Sequence, residues 1–174
     1  MYVLGLWVFV TLLPTLMLAN EDNDKPLGKQ DYLGWALWAT GMFFEIVADM
    51  QKTDFKNDPK NQVSAHQIFE NSEPKSKYRH FTQGKFITTG LWSISRHPNY
   101  FGEILLWFGL YISASSVFKG WQYLGVLSPL FVHLLITRVS GIPLLEKAGL
   151  KKWGHLKEYQ EYLKNTPSLV PFWK

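Results

Sequence analysis

Arg96-His97-Pro98-Asn99-Tyr100-Phe101-Gly102-Glu103, opening onto Ile104-Leu105-Leu106-Trp107-Phe108-Gly109-Leu110-Tyr111-Ile112, sets a polar cluster against an apolar run. The run has the composition of a membrane helix. Ser95, Arg96, His97, Asn99, Tyr100 and Glu103 crowd its threshold, where polar groups are costly to desolvate and for that reason usually mark a site. Pro98 predicts a first helical turn, because its missing N–H would have no partner there. The free N–H groups and positive dipole end of that helix then face Arg96 and His97, an arrangement suited to an anion. The competing reading is interfacial anchoring, since Arg, His and Tyr all favour headgroup level. Asn99 and Glu103, one helical turn apart, tip the balance towards a site.

The same segregation of apolar and polar blocks runs through the chain. Its 174 residues suit one domain or a small membrane bundle. Charged residues make up only 18%, yet mean hydropathy is −0.09, because the polar residues are gathered together. The absence of cysteine excludes disulfides, thiolate catalysis and cysteine-based zinc or iron–sulfur sites. His66 and His80 lie far apart with no companion ligand spacing, so no metal is expected.

A membrane span needs roughly 20 mostly apolar residues. Tyr2 to Ala19, Tyr32 to Phe44, Pro98 to about Val117 and Trp121 to about Ile136 meet or approach that length. The expected fold is therefore all-α: a polytopic membrane helix bundle of about four transmembrane helices, with an amphipathic segment following. A re-entrant or interfacial piece, residues 139–145, is expected after the fourth span. Residues 1–31 read as a transmembrane segment with its polar connection, and residues 32–174 as the main membrane domain. Residues 1–19 read either as the first span or as a cleaved leader; Pro14 and the lack of a basic start favour the span.

Four spans place 15 of the 18 Lys and Arg residues on one side, in the loop from Met50 to His97 and the tail after Ile136. By the positive-inside rule that side is cytosolic. The net charge of +4 thus describes a cytosolic membrane face, and no nucleic-acid pattern accompanies it. Residues 44–56 read as the polar continuation of the second helix, with Glu45, Asp49, Lys52 and Lys56 on one stripe. Gln62 to Gln83 reads as a mobile loop, and His133 as a packed residue inside the fourth span. Residues 144–163 read as one amphipathic, interface-lying segment on which Tyr159 and Tyr162 share a face.

Taken together, residues 48–52, residues 57–61, the block from Gly84 to Glu103 and the tail with Ser140-Gly141-Ile142-Pro143-Leu144-Leu145-Glu146, Lys152-Trp153-Gly154 and the two tyrosines resemble the membrane proteins that carry a steroid 5-alpha-reductase C-terminal domain. The resemblance covers roughly Tyr32 to Lys174. It implies an all-helical membrane enzyme, of the endoplasmic reticulum in a eukaryote, that binds NADPH with the phosphates towards the cytosolic loops. By motif matching, Asp49, Arg96, His97, Asn99, Tyr159 and Tyr162 bind the cofactor, and Tyr100 and Glu103 are catalytic. The implied reaction reduces an activated carbon–carbon double bond in a steroid-like or other lipid-soluble substrate that enters from the bilayer.

This chain departs from that pattern in having one span before Tyr32, where such reductases have several that hold the substrate carbonyl. A truncated form, or a protein partner that supplies the missing acid, is the corresponding expectation. Glu45 stands where the steroid reductases have an amide and Lys56 where they have an arginine, and lysine lacks the bidentate phosphate grip. The isoprenylcysteine carboxyl methyltransferases share a similar Arg-His-Pro-x-Tyr-x-Gly motif and a tail with glutamate and paired tyrosines. On that resemblance Arg96 and His97 would hold S-adenosylmethionine for methyl transfer to a lipid-like acceptor. Asn99 followed by Glu103 favours the reductase. A third possibility is a non-catalytic protein that keeps only the fold.

Overall fold

The computed structural model describes residues 2–22, 25–61 and 85–173, with side chains from residue 5 onward. The mobile-loop reading of Gln62 to Gln83, with His66 and His80, lies outside the described residues. All regular structure among the described residues is helical. The helices are α1 (Tyr2–Ala19), α2 (Lys29–Asn57), α3 (Pro98–Ala114), α4 (Leu127–Leu134), α5 (Ile142–Trp153) and α6 (Lys157–Asn165). Short 3-10 stretches cover Gly90–Ser93 and Gly120–Val126, and a π turn covers Leu135–Val139. One helical run, Gly120–Trp153, is long and apolar enough to cross a membrane, and Gly5–Ala19 is a shorter apolar helix.

The chain divides into two compact units, residues 1–46 with 99–145 and residues 47–98 with 146–174. In the first unit α2 and α3 meet through glycines spaced seven apart on each helix. A Cβ on Gly41 would lie 2.6 Å from both the Gly102 oxygen and the Leu106 nitrogen, and one on Gly109 would lie 2.5 Å from the Trp38 nitrogen. Small residues let backbones approach this closely, and dispersion over the seam then holds the helices. Phe44 and Phe101 close one end, ring centroids 5.2 Å apart. At the other end the Gln30 amide donates to the Ile112 carbonyl at 3.0 Å and the Ser115 hydroxyl at 2.8 Å, while Ser116 donates to Asp31 at 2.8 Å.

α1 packs on α4. Pro14 is fully buried there with Ser128 and Pro129, and the Ser128 hydroxyl donates to the Thr11 carbonyl at 2.6 Å. Pro129 sits at the third position of α4, in the first turn, where its lack of an N–H costs no helical bond. The apolar run from Trp121 to Ile136 does not form one regular helix. It starts as a 3-10 stretch and ends as a π turn closed by Ser140 N–H on the Leu135 carbonyl at 2.9 Å, so the backbone stays hydrogen bonded while its pitch changes.

In the second unit the tail is two helices where its composition reads as one amphipathic segment. α5 closes with the Gly154 N–H on the Leu150 carbonyl at 2.9 Å, and α6 restarts at Lys157. Only glycine fits this close, because a Cβ on Gly154 would run into the Leu150 carbonyl oxygen. Trp153 and Tyr159 then face each other at 5.7 Å, with Phe86 against both and against Tyr162.

Candidate functional site

Every group of the site that the structure brings together belongs to the second unit. α2 runs on to Asn57 and presents Gln51, whose side-chain oxygen accepts the Leu91 N–H at 2.9 Å. Gly90 takes φ +62°, which glycine adopts without strain, and a side chain there would overlap the Gln51 amide. Trp92 is thereby seated: its indole N–H donates to the Ala48 carbonyl at 3.0 Å, and Lys52 lies 5.0 Å over its ring. Burial pulls the Lys52 ammonium below the usual lysine range, with Lys56 adding and Asp49 opposing.

Beyond this 3-10 turn the backbone of residues 94–97 is laced to residues 166–172. The Arg96 N–H donates to the Pro167 carbonyl at 2.9 Å, the Phe172 N–H to the Ile94 carbonyl at 3.3 Å, and the Ser95 hydroxyl to the Leu169 carbonyl at 2.7 Å. Ser95 is fully buried and its oxygen also accepts the His97 N–H at 3.2 Å. The segment 166–173, without regular structure, is thus a strap across the Arg96 loop.

One carboxylate oxygen gathers the polar side chains. Glu146 Oε1 stands 3.1 Å from Arg96 Nη2, 3.5 Å from His97 Nε2 and 3.1 Å from the Ser168 hydroxyl that donates to it. Burial pushes His97 down to about 4 in spite of Glu146, which acts to raise it, while Arg96 and Lys52 add to the lowering. His97 is therefore neutral at physiological pH, and the Arg96–Glu146 pair carries the local charges. Arg96 Nε is buried and has no hydrogen-bond partner among the described residues. An open groove of about 600 Å³ runs past Arg96, lined further by Leu163, Lys164, Thr166 and Pro167 of the α6 end and strap, and by the strap up to Trp173. Lys164 and the Thr166 hydroxyl on a groove of that size, beside an Arg96 already paired with Glu146, could take an anionic group such as a phosphate.

Of the residues singled out in the sequence, Arg96 and His97 meet on Glu146. Tyr162 donates its hydroxyl to the Trp92 carbonyl at 2.7 Å, and burial raises that hydroxyl with Arg96 opposing. Tyr159 is 6% exposed and packs 6.5 Å from the Tyr162 ring. Its hydroxyl fits against Gly149, where a Cβ would collide with it. Asp49 is exposed on α2. Asn99, Tyr100 and Glu103 belong to the first unit, half-buried on the first two turns of α3. Pro98 opens that helix. Glu146, Gln51 and Ser168 escaped the sequence reading as site residues, and Ser95 stood in the polar cluster without an assigned role. Only Glu146 carried a signal, as the single acid in the apolar-to-basic stretch 139–152.

The chain belongs to the DUF1295 family, described as proteins of unknown function, which it matches over residues 1–166. It is similar to the uncharacterized protein C594.04c of Schizosaccharomyces pombe, 27% identical over 160 residues. That match takes in 90% of this chain and 44% of the yeast protein, so the chain spans less than half the length of that relative. No solved structure matches the chain.

Proposed function

We propose that this chain is a multi-pass membrane protein of the steroid 5-alpha-reductase C-terminal type, an NADPH-dependent reductase of an activated carbon–carbon double bond in a lipid-soluble substrate. The observation that carries this reading is the groove where Arg96 and Lys164 stand with Thr166, a set of groups that suits a phosphate. The Asn99-x-x-Gly102-Glu103 pattern on α3 supports the reductase class. Exposed apolar side chains on α1 and α2, among them Trp7, Phe9, Leu33 and Phe43, support further spans beside Gly120–Trp153. In a eukaryote the membrane is that of the endoplasmic reticulum, with the second unit on the cytosolic side.

When bound, reduced nicotinamide supplies a hydride. Arg96, Lys164 and Thr166 would hold the phosphates, and Glu146, itself bound by the Ser168 hydroxyl, fixes the guanidinium. His97 stays neutral beside them, so it adds hydrogen bonding without adding charge. We assign Asn99 to cofactor orientation, and Tyr100 and Glu103 to the proton that the carbonyl side of the substrate takes up. The substrate reaches the protein from the bilayer.

One observation favours a second reading. Arg96 paired with Glu146 offers a cation and an anion side by side, which suits the carboxylate and ammonium of an amino acid and hence S-adenosylmethionine. Parallel titration of purified protein with NADPH and S-adenosylmethionine separates the two, with Arg96→Ala, Asn99→Ala as control. Saturable NADPH binding, lost in the variant, is expected. Binding of S-adenosylmethionine alone would replace reduction by methyl transfer, and a folded sample that binds neither would point to a non-catalytic protein.

A further inference from the structure

The strap that laces the Arg96 loop ends in two aromatic residues with nothing over them among the described residues. Phe172 is 82% exposed and Trp173 76%, and Val170 before them is exposed as well. This is not a relaxed arrangement. Phe172 holds φ +64°, the one positive φ outside glycine among the described residues, and a bulky residue adopts that region only when its surroundings impose it. The local reason is a turn over Pro171 and Phe172, closed by the Trp173 N–H on the Val170 carbonyl at 3.2 Å. The Phe172 N–H donates to the Ile94 carbonyl at 3.3 Å, so the strap is tied to the loop at the turn from which both rings project.

Trp173 shares its groove with the cation of Lys164. On α5 Lys147, Lys151 and Lys152 are exposed, and Lys152 lies 4.5 Å over the Trp153 ring. α5 is itself the end of the run that is apolar enough to cross a membrane. Exposed Trp and Phe sharing a groove with Lys, in the segment that follows such a run, have the chemistry of the bilayer interface, where aromatic rings sit at headgroup level and lysines meet anionic lipid.

We propose that Val170–Trp173 is a bilayer anchor: Phe172 and Trp173 insert among the headgroups of an anionic membrane, and the strap transmits that attachment to the Arg96 loop. Insertion holds residues 166–172 in place. Through Pro167, Leu169 and Phe172 they in turn hold Ile94, Ser95 and Arg96, and they form most of the wall of the groove. The anchor itself does not depend on which cofactor the groove takes. Only its consequence for binding rests on the function proposed above.

The chain has no cysteine, so a single label can be placed without background. Trp173→Cys and, as control, Lys157→Cys, whose native side chain is 88% exposed, are labelled with an environment-sensitive fluorophore. Both are reconstituted in phosphatidylcholine nanodiscs containing about one part in five phosphatidylserine. The label at 173 is expected to shift to the blue and to be quenched by lipids carrying a nitroxide high on the acyl chain, while the label at 157 remains water-like. Equal behaviour at the two positions overturns the proposal. A blue shift at 173 without lipid quenching does so too, because it assigns the rings to a protein contact.

Transmission is read separately by hydrogen exchange. In Phe172→Ser, Trp173→Ser the Arg96 amide is expected to exchange about tenfold faster than in the native chain, in the same nanodiscs. Unchanged exchange removes the coupling. The labelled Trp173→Cys chain, which keeps Phe172, leaves the anchor testable should the double variant misfold, and NADPH binding enters neither measurement.

Discussion

His97 is the residue whose chemistry the fold alters within the range of ordinary pH. At 6% exposure its ring is held neutral, and it takes a proton only near pH 4 where an unfolded chain would do so near 6.5. Between those values the unfolded state binds more protons, so stability rises with pH across the window. The contribution is fully present above pH 6.5 and is lost as pH falls towards 4, by about 3 kcal/mol at the lower end. Thermal melts of the native protein and His97→Gln at pH 7 and pH 4.5 test this. The variant should lose distinctly less stability on acidification, and equal losses would refute the assignment. Glu146→Gln should cost about 1–3 kcal/mol at neutral pH, because Arg96 is left partly buried beside a neutral amide. A double-mutant cycle with Arg96→Gln would show whether that cost belongs to the pair.

At the scale of elements the glycines decide how helices meet. Gly102→Ala should force α2 and α3 apart, since the new methyl would lie 2.5 Å from the Gly41 oxygen and 2.6 Å from the Glu45 nitrogen. Overpacking against backbone typically costs about 1–3 kcal/mol, visible as a lowered melting temperature in detergent. Gly149→Ala should destabilise for a different reason, because its methyl meets a side chain, the Tyr159 hydroxyl. Removing that hydroxyl makes room, so Gly149→Ala, Tyr159→Phe should recover most of the loss. No recovery would mean that α5 and α6 are held apart by something other than this contact.

For the whole molecule the charge distribution predicts topology. Fifteen of 18 Lys and Arg residues fall in the long loop and the tail, which places both on the cytosolic face if four segments span the bilayer. Lys119→Cys and Lys157→Cys, each in the cysteine-free chain, should then react with a membrane-impermeant maleimide from opposite faces of sealed vesicles. Both side chains are well exposed, at 68% and 88%. Labelling of both from one side would leave the reductase reading without its expected membrane arrangement.

The sequence alone determined most of the helices, but not the breaks within residues 121–136 and between the two helices of the tail. Apolar blocks, Pro98 at the start of α3 and the polar continuation of α2 are local signals, and helix formation depends on residues within a turn or two of each other. The seven-residue glycine spacing on α2 and α3 gained its meaning only once the two helices were seen to meet. Tertiary structure alone decided the site. Glu146 lies 50 residues from Arg96, Gln51 40 residues from Leu91, and the strap more than 70 residues from Ser95. No periodicity records such meetings, because they depend on where the chain returns. The sequence showed a cation inviting an anion at Arg96; only the folded chain supplied that anion from within itself.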